Sequence, residues 1–345
     1  METLARNVIS LVPGLKPLLK DSRDRLKRTV LRYRCFRYEQ KANAKHMGWR
    51  HAGTVNYAKR SAELIFWYHK LEKGMCLPPE NRRFFGQYPA QQTLTLLRKW
   101  EADGLSCDEP VYKAAIGVLE GYRDFVISID NRTSEAEQIL AEVNRFLSAH
   151  KDSDDIYKTP INFRPLEENA FEVLQSLALS RRSTRNFKSQ AVPIEIVEKA
   201  AKLAQLSPSA CNRQPWRVHL YQDKTHIEEM LKLQNGNRGF GHTIPMLAVM
   251  CCDMGAFFDA TERNEPALDG GLFLMSFLYA LQSMGLATCC LNWCVEPQQD
   301  QRGHEVGAIP ENEKILTFLA IGYAADDTVV PLSARRPLTD LIVEH

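Results

Sequence analysis

The chain has 345 residues, of which 44% are hydrophobic and 25% are charged, and this composition is typical of a globular protein with room for two domains. No apolar run reaches the roughly 20 residues that span a bilayer, and the N-terminus lacks the pattern of a secretory signal. Composition therefore argues against a membrane-spanning, fibrous or disordered chain.

The formal net charge of +2 hides an imbalance along the chain. Residues 1–60 hold 15 Lys and Arg against 4 Asp and Glu, whereas the remainder holds 29 against 38. A basic head on an acidic body indicates an anionic partner for the head, such as a lipid surface, a nucleic acid or an acidic protein. The alternative is a solvated helix face that pairs with the acidic body. No signature of specific nucleic-acid recognition is present.

The nine cysteines are scattered, and no Cys/His group has the spacing of a zinc site. Reduced thiols predict a cytoplasmic protein, peripheral at the inner membrane face if the basic head binds lipid. We expect no metal site.

Helical patterns dominate the first half of the chain. "NYAKRSAELIFWYHKLEKGM" places Ala62, Leu64, Ile65, Tyr68 and Leu71 near one face at helical spacing. Three further amphipathic runs follow, and a polar, proline-containing stretch at 151–165 has the character of a linker.

Strand and helix patterns mix in the second half. "WRVHLYQD" alternates as a strand does, while "PMLAVMCCD", "ATCCLNW" and "KILTFLAIGYA" predict buried strands. "DGGLFLMSFLYALQSMG" is apolar nearly all round, which predicts a helix in a core or at a subunit interface. We therefore divide the chain into a basic helical segment (1–60), a helical extension with linker (61–165) and an α+β domain (166–345).

Two polar loops carry the strongest chemical signals. "RRSTRNF" gathers three guanidinium groups and two hydroxyls in a turn, a set that suits a phosphate group. "SPSACNRQPW" presents Asn212 and Gln214, whose amides can read the edge of a planar heterocycle. The alternatives are a basic surface turn for the first loop and an elaborate Asx/Ser turn for the second. Trp216 opens a strand, so we expect it in the core.

Other candidates are weaker. "GLATCCLNW" contains small residues, which allow the backbone to approach a ligand closely. We interpret its two cysteines and Cys294 as packing residues, because no catalytic base accompanies them. Arg335 and Arg336 matter only if the fold returns them to the first arginine cluster. "GNRGFG" has the wrong glycine spacing for a dinucleotide fingerprint. The histidines, His219 among them, show no partner and are read as structural.

Six motifs, taken in order, resemble the FMN-dependent nitroreductase family over residues 170–345, about half the chain. They are "RRSTRNF", "SPSACNRQPW", "DGG", "GLATCCLNW", "FLAIGYA" and "ARRPL". The helical first half, with "HKLEKGM" and "GNRGFG", is similar to a longer subgroup associated with bacterial polysaccharide gene clusters. The resemblance implies an α+β, three-layer sandwich with a central mixed or antiparallel sheet. It also implies a homodimer with FMN at the subunit interface.

The resemblance also assigns roles to particular residues. The phosphate and ribityl contacts fall on Arg181, Arg182, Ser183 and Arg185, with Arg335, or else Arg336, as a late phosphate contact. The flavin-ring contacts of the proline loop fall on Pro208, Ser209, Asn212 and Gln214, and that loop serves the partner's flavin in the family. Backbone at Cys290, Leu291 and Asn292 would approach the other side of the ring. No catalytic acid is named.

The activity implied is that of a flavin oxidoreductase, which takes electrons from NADH or NADPH and passes them to a small organic acceptor. The acceptor would be nitroaromatic, quinone-like or a biosynthetic intermediate. The competing hypothesis is an interaction protein that keeps a nitroreductase-like body with little or no catalysis and docks through its basic head.

Overall fold

The structure is a computed structural model, and it describes residues 15–48, 56–78, 83–150 and 154–345. Helices make up its first half: α1 Leu15–His46, α2 Tyr57–Met75, α3 Gln87–Ala102, α4 Pro110–Ile127 and α5 Ser134–Leu147. Side-chain caps start two of them. The Asn56 side chain accepts a hydrogen bond from the Lys59 amide at 2.9 Å, and the Thr133 hydroxyl accepts one from the Ala136 amide at 3.3 Å.

Helices α2 to α5 share one hydrophobic core, which the fully buried Trp100 and Tyr122 anchor. All five apolar residues predicted to share a face of α2 are buried. The helical spacing read from the sequence therefore gave the correct inward face.

The second half alternates helices and strands. Its helices are α6 Ala170–Ser180, α7 Ile194–Ala204, α8 Lys224–Lys232, α9 Glu265–Ser283 and α10 Pro297–Gly307. Its strands are β1 Trp216–Tyr221, β2 Met246–Asp253, β3 Ala287–Asn292 and β4 Glu313–Gly322.

The four strands form one antiparallel sheet in the order β1-β2-β4-β3. One face packs on α7 and α9 through residues such as Val197 and Phe277, and the other packs on α8 through Ile227 and Met230. Every residue of β2 is buried, as expected for a central strand covered on both faces. The arrangement confirms the predicted α+β sandwich of three layers with a helical N-terminal region.

Helix α1 lies on the second half of the chain, and several of its polar side chains bind there. The contacts are Arg34–Glu296, Tyr38–Asp300, Glu39–Lys314 and Lys45–Glu311. Part of the basic head thus pairs with the acidic body, as the solvated-helix alternative anticipated. Residues 1–14 lie outside the described residues.

The predicted boundary at residue 60 falls inside α2, and the domain division stays a prediction. In the described part of the linker, residues 154–165 form a short turn at Asp155–Tyr157 and otherwise extended chain. No helix in the described ranges is long and apolar enough to cross a membrane.

Candidate active site

The arginine cluster lies against the edge of the sheet. Helix α6 ends at Ser180, and the chain then runs beside β3, where the Thr184 amide donates to the Thr288 carbonyl at 2.9 Å. Ser183 and Thr288 also form an isolated parallel bridge. Two motifs that lie about a hundred residues apart in sequence are thereby brought together.

The three guanidinium groups of this cluster have no acidic partner among the described residues. Arg182 donates to the carbonyls of Ala178 and Arg181, and Arg185 only reaches the Ser183 carbonyl at 3.5 Å. Three cations held in one turn repel one another unless an anion neutralises them. The assignment of the cluster as an anion site stays a prediction, and the absence of an acidic partner among the described residues is consistent with it.

The hydroxyl of Thr288 supports this interpretation. The residue is 1% exposed, and its Oγ1 has no hydrogen-bond partner in the part of the chain that the structure describes. A buried hydroxyl without a partner is costly, and a bound group can supply the missing one. The residue types beside β3, namely three arginines with the hydroxyls of Ser183 and Thr184, fit a phosphate-bearing ligand.

Strand β3 continues the site along the sheet edge. Besides its pairing with β4, β3 contacts Ser183 and Thr184 at Thr288, and its Asn292 carbonyl accepts from Gln234. Cys290 and Asn292 are exposed, while Leu291 points into the core. The pKa of the Cys290 thiol is raised to about 11 by desolvation, against the opposing positive charge of Arg181. Cys289 packs in the core as expected, whereas Cys290 and Cys294 are exposed, so that expectation was wrong for these two.

The proline loop between α7 and β1 has an unusual backbone. Cys211, Asn212 and Gln214 all adopt positive φ angles, of 52°, 56° and 52°. Non-glycine residues rarely adopt this left-handed region, and where they do the strain is often linked to function. The Gln214 side-chain Nε2 donates to the Asn212 backbone carbonyl at 3.2 Å and to Asn212 Oδ1 at 3.4 Å, and the second bond joins the two candidate ring-reading side chains.

A buried carboxylate on α9 supports the loop. Both carboxylate oxygens of Asp269 accept a hydrogen bond from the Ala210 amide at 3.1 Å, and the Ser209 hydroxyl accepts one from the Gln214 amide at 3.1 Å. Burial raises the pKa of Asp269 to about 6, although the Ala210 amide acts in the opposite direction.

Two residues of the loop region are structural. Arg213 is 3% exposed, and its guanidinium binds Glu262 at 2.6 Å and the Ala256 carbonyl at 3.0 Å. Trp216 stacks on Phe273, as predicted for a core residue, and its indole nitrogen donates to the Asp269 carbonyl at 2.8 Å.

The proline loop and the arginine cluster lie at opposite edges of the sheet. The loop leads into β1, the cluster borders β3, and β2 and β4 lie between them. Within one chain the sheet separates the predicted phosphate contacts from Asn212 and Gln214. Arg335 and Arg336 are exposed, and the Arg335 guanidinium donates to the Ser333 carbonyl.

Helix α2 covers the proline loop from the other side. A cavity of about 510 Å³ opens between them, with Tyr57, Ser61 and Ile65 of α2 facing Gln214 and Arg217. The Ser61 hydroxyl is buried there without a hydrogen-bond partner. The helical half of the chain therefore lines a space beside the ring-reading residues.

Sequence reasoning missed the loop at 234–241 as part of this site. Gln234 is 4% exposed, its amide nitrogen donates to the Asn292 carbonyl at 2.9 Å, and its amide oxygen accepts from the Gly236 amide at 2.6 Å. The loop is thus tied to the end of β3, and it presents an exposed Arg238. "GNRGFG" signalled the loop, but only the fold shows what it is attached to.

The expectation that the histidines have no partner is wrong for His219. Its Nε2 lies 2.6 Å from a carboxylate oxygen of the buried Glu313. This pair lies on the sheet face away from α9, outside the loops described above.

The fold is a three-layer α+β domain with the arginine cluster and the proline loop at opposite edges of its sheet. The sequence model of the nitroreductase family matches residues 178–237, a segment that holds both loops. The match confirms the family resemblance; the link to polysaccharide gene clusters stays a prediction.

Several known proteins are similar over the same half. An iodotyrosine dehalogenase 1 homolog of Caenorhabditis elegans is 28% identical over 199 residues, covering 48% of this chain and 57% of the relative. A putative NADH dehydrogenase/NAD(P)H nitroreductase of Archaeoglobus fulgidus is 27% identical over 151 residues, covering 43% and 83%. A solved putative nitroreductase in complex with FMN, from Desulfovibrio desulfuricans, covers 50% and 96% at 22% identity and a TM-score of 0.43.

Proposed function

We propose that this protein is an FMN-dependent oxidoreductase that takes electrons from NADH or NADPH and passes them to a small organic acceptor. The observation that carries the proposal is the arginine cluster at the β3 edge, which has three cations, two hydroxyls and no acid among the described residues. The relatives named as nitroreductases and dehalogenases support reductive chemistry of this kind.

In this proposal the phosphate and ribityl chain of FMN bind to Arg181, Arg182, Ser183 and Arg185, and the terminal Arg335, or else Arg336, completes the phosphate shell. When bound, FMN supplies the hydride and electron transfer, and the protein supplies binding and orientation. Bidentate guanidinium contacts suit a phosphate group better than lysine would.

The ring of the cofactor is assigned to the other motifs. Asn212 and Gln214, with Pro208 and Ser209, read one edge of the ring, and the backbone at 290–292 lies along the other side. The positive φ angles at Asn212 and Gln214 hold their amides in one fixed orientation before the ligand arrives.

A second copy of the chain completes the site in this proposal, because the two motifs lie at opposite sheet edges. Helix α6 buries none of its residues and exposes Phe171, Leu174 and Leu179, while α9 exposes Leu268. The terminal segment 329–345 also exposes apolar side chains, among them Val329 at 91%. Apolar surface of this extent is typical of a subunit interface.

Absorption spectroscopy tests the cofactor. The purified chain should show the flavin spectrum and lose it on anaerobic addition of NADH or NADPH. Arg181→Ala should lose FMN, whereas Arg302→Ala, on the surface of α10, should retain it. Full flavin occupancy in Arg181→Ala would refute the assignment.

The acceptor requires a separate assay. The names of the relatives point to nitro compounds and to halogenated aromatics, and quinones and a biosynthetic intermediate are the other candidates. Stopped-flow oxidation of the reduced protein by a nitroaromatic, a halogenated aromatic and a quinone would separate the first three classes. Slow oxidation by all three compounds would favour the intermediate.

The second candidate is an interaction protein that binds an anionic surface through α1. The outer side of this helix exposes Leu26, Tyr33 and Phe36 beside Arg23 and Arg37, a mixture that suits anionic lipid. Flotation with phosphatidylserine vesicles would test it, with Arg23→Glu/Arg37→Glu as the variant. A colourless protein that does not respond to FMN but floats through α1 would favour this candidate over the enzyme.

A further inference from the structure

Three chemically distinct side chains meet on the sheet face away from α9. They are His219 of β1, Cys251 of β2 and Glu313 of β4, and their ligand atoms all lie within 4.8 Å of one another. His219 Nε2 and Glu313 Oε2 are 2.6 Å apart. Ligand atoms around a tetrahedral zinc ion are separated by roughly 3–4 Å, so small side-chain rotations would suffice to enclose one.

A register shift in the sheet creates this grouping. In the pairing of β2 with β4 the register changes between Met250 and Cys251, so that Cys251 opposes Ile315 and Asp253 opposes Glu313. Without the shift, Glu313 would point to the opposite face, because a one-residue slip reverses every side chain. The irregularity thus places the carboxylate on the face that carries the thiol and the imidazole.

Burial gives the three groups different access to solvent. Cys251 is 1% and Glu313 is 7% exposed, whereas the His219 side chain is 26% exposed. The Cys251 sulfur makes no hydrogen bond to any described residue. An ion could therefore enter past the imidazole and keep one position for water.

The three ligand atoms are an imidazole nitrogen, a thiol sulfur and a carboxylate oxygen, which are the atom types that zinc binds in proteins. A bound divalent ion would stabilise the thiolate and the carboxylate together.

We propose that His219, Cys251 and Glu313 form a binding site for a zinc-type divalent cation, which joins β1, β2 and β4 and retains one water ligand. Binding releases the thiol proton of Cys251 to solvent. The proposal does not depend on FMN, because its three ligands lie apart from the arginine cluster and the proline loop.

Cobalt is the probe for the test, because tetrahedral Co²⁺ with a thiolate ligand absorbs at wavelengths beyond those of oxidised flavin. Titration of the full chain should give these bands at one equivalent. Cys251→Ser and His219→Ala should each lose them, and Zn²⁺ should displace the cobalt. Zn²⁺ should also raise the Tm of the unmodified chain but not of the variants.

The adjacent thiol provides a matched control. Cys252 is as buried as Cys251, but it faces α9 on the other side of the sheet, so Cys252→Ser should keep the cobalt spectrum. If a serine variant fails to fold, Glu313→Gln and His219→Ala decide the question. No tetrahedral spectrum in the unmodified chain, or a spectrum retained by both His219→Ala and Cys251→Ser, would overturn the proposal.

Discussion

At the scale of single residues, the proline loop combines a strained backbone with side chains that we assign to ligand binding. Asn212 lies at φ 56°, a conformation that costs a non-glycine residue free energy and that its neighbours impose. The amide that reads the ligand and the backbone that holds it there can therefore be tested separately.

We predict that Asn212→Gly leaves the fold as stable or up to about 1 kcal/mol more stable, because glycine adopts positive φ without strain. The same change should weaken FMN binding, because the amide is lost. Urea unfolding and flavin fluorescence titration measure the two effects. Asn212→Ala is the comparison, and it should lose both stability and binding. Unchanged FMN affinity in both variants would contradict the role of Asn212.

The raised pKa of Asp269 predicts that the free energy of unfolding depends on pH. Its pKa of about 6 in the folded chain exceeds the ordinary value of 3.8, so the folded state retains a proton that the unfolded chain has already lost. Stability from this group is therefore full below about pH 4 and falls as pH rises through 6, by at most about 3 kcal/mol.

Asp269→Asn removes this titration and keeps an oxygen that can accept from Ala210. The unfolding free energy of the variant relative to the unmodified chain should rise between pH 4 and pH 7, measured with urea at fixed ionic strength. A difference that does not change with pH would show that Asp269 is not perturbed in this way.

At the scale of elements, Gln234 joins the 234–241 loop to β3. We predict that Gln234→Met costs about 1 kcal/mol, since the Asn292 carbonyl and the Gly236 amide lose their hydrogen bonds to a buried side chain. FMN affinity should fall as well, because Asn292 loses its support. Gln301→Met on exposed α10 is the control. A stable variant with normal FMN affinity would exclude the loop from the site.

Helix and strand types in the second half were predictable, because burial patterns of period 2 and of 3.6 residues are local. The continuous apolar run of β2 and the alternation of β1 both became strands as expected. The partners of each element were not predictable, since pairing depends on residues distant in sequence. The attachment of "RRSTRNF" to Thr288 is one example.

At the scale of the whole molecule, the separation of the two motif loops leads to a prediction about assembly. If each site combines the arginine cluster of one subunit with the proline loop of another, Arg181→Ala and Asn212→Ala/Gln214→Ala should each lose activity alone. If the two variants are dissociated, mixed and reassociated, about one quarter of the original sites should be recovered. Half of the dimers are then mixed, and each mixed dimer carries one intact site.

Reductase assays and flavin content measure this recovery, and a mixture of Arg181→Ala with Arg182→Ala serves as the control that cannot complement. No recovery despite confirmed mixed dimers would place both motifs in one subunit's site. A chain that stays monomeric at all concentrations would refute the dimer itself.

The sequence alone determined the elements, the buried faces and the chemical character of the two loops, because these follow from residue type and local spacing. It also contained the nitroreductase-family motifs in their order. Only the tertiary structure decided which groups meet: the arginine cluster with β3, Gln234 with Asn292, part of the basic head with the acidic body, and His219 with Glu313. The sequence could not show these contacts because they depend on long-range strand pairing and register. A single register shift between Met250 and Cys251, for example, determines which face of the sheet the Glu313 carboxylate occupies.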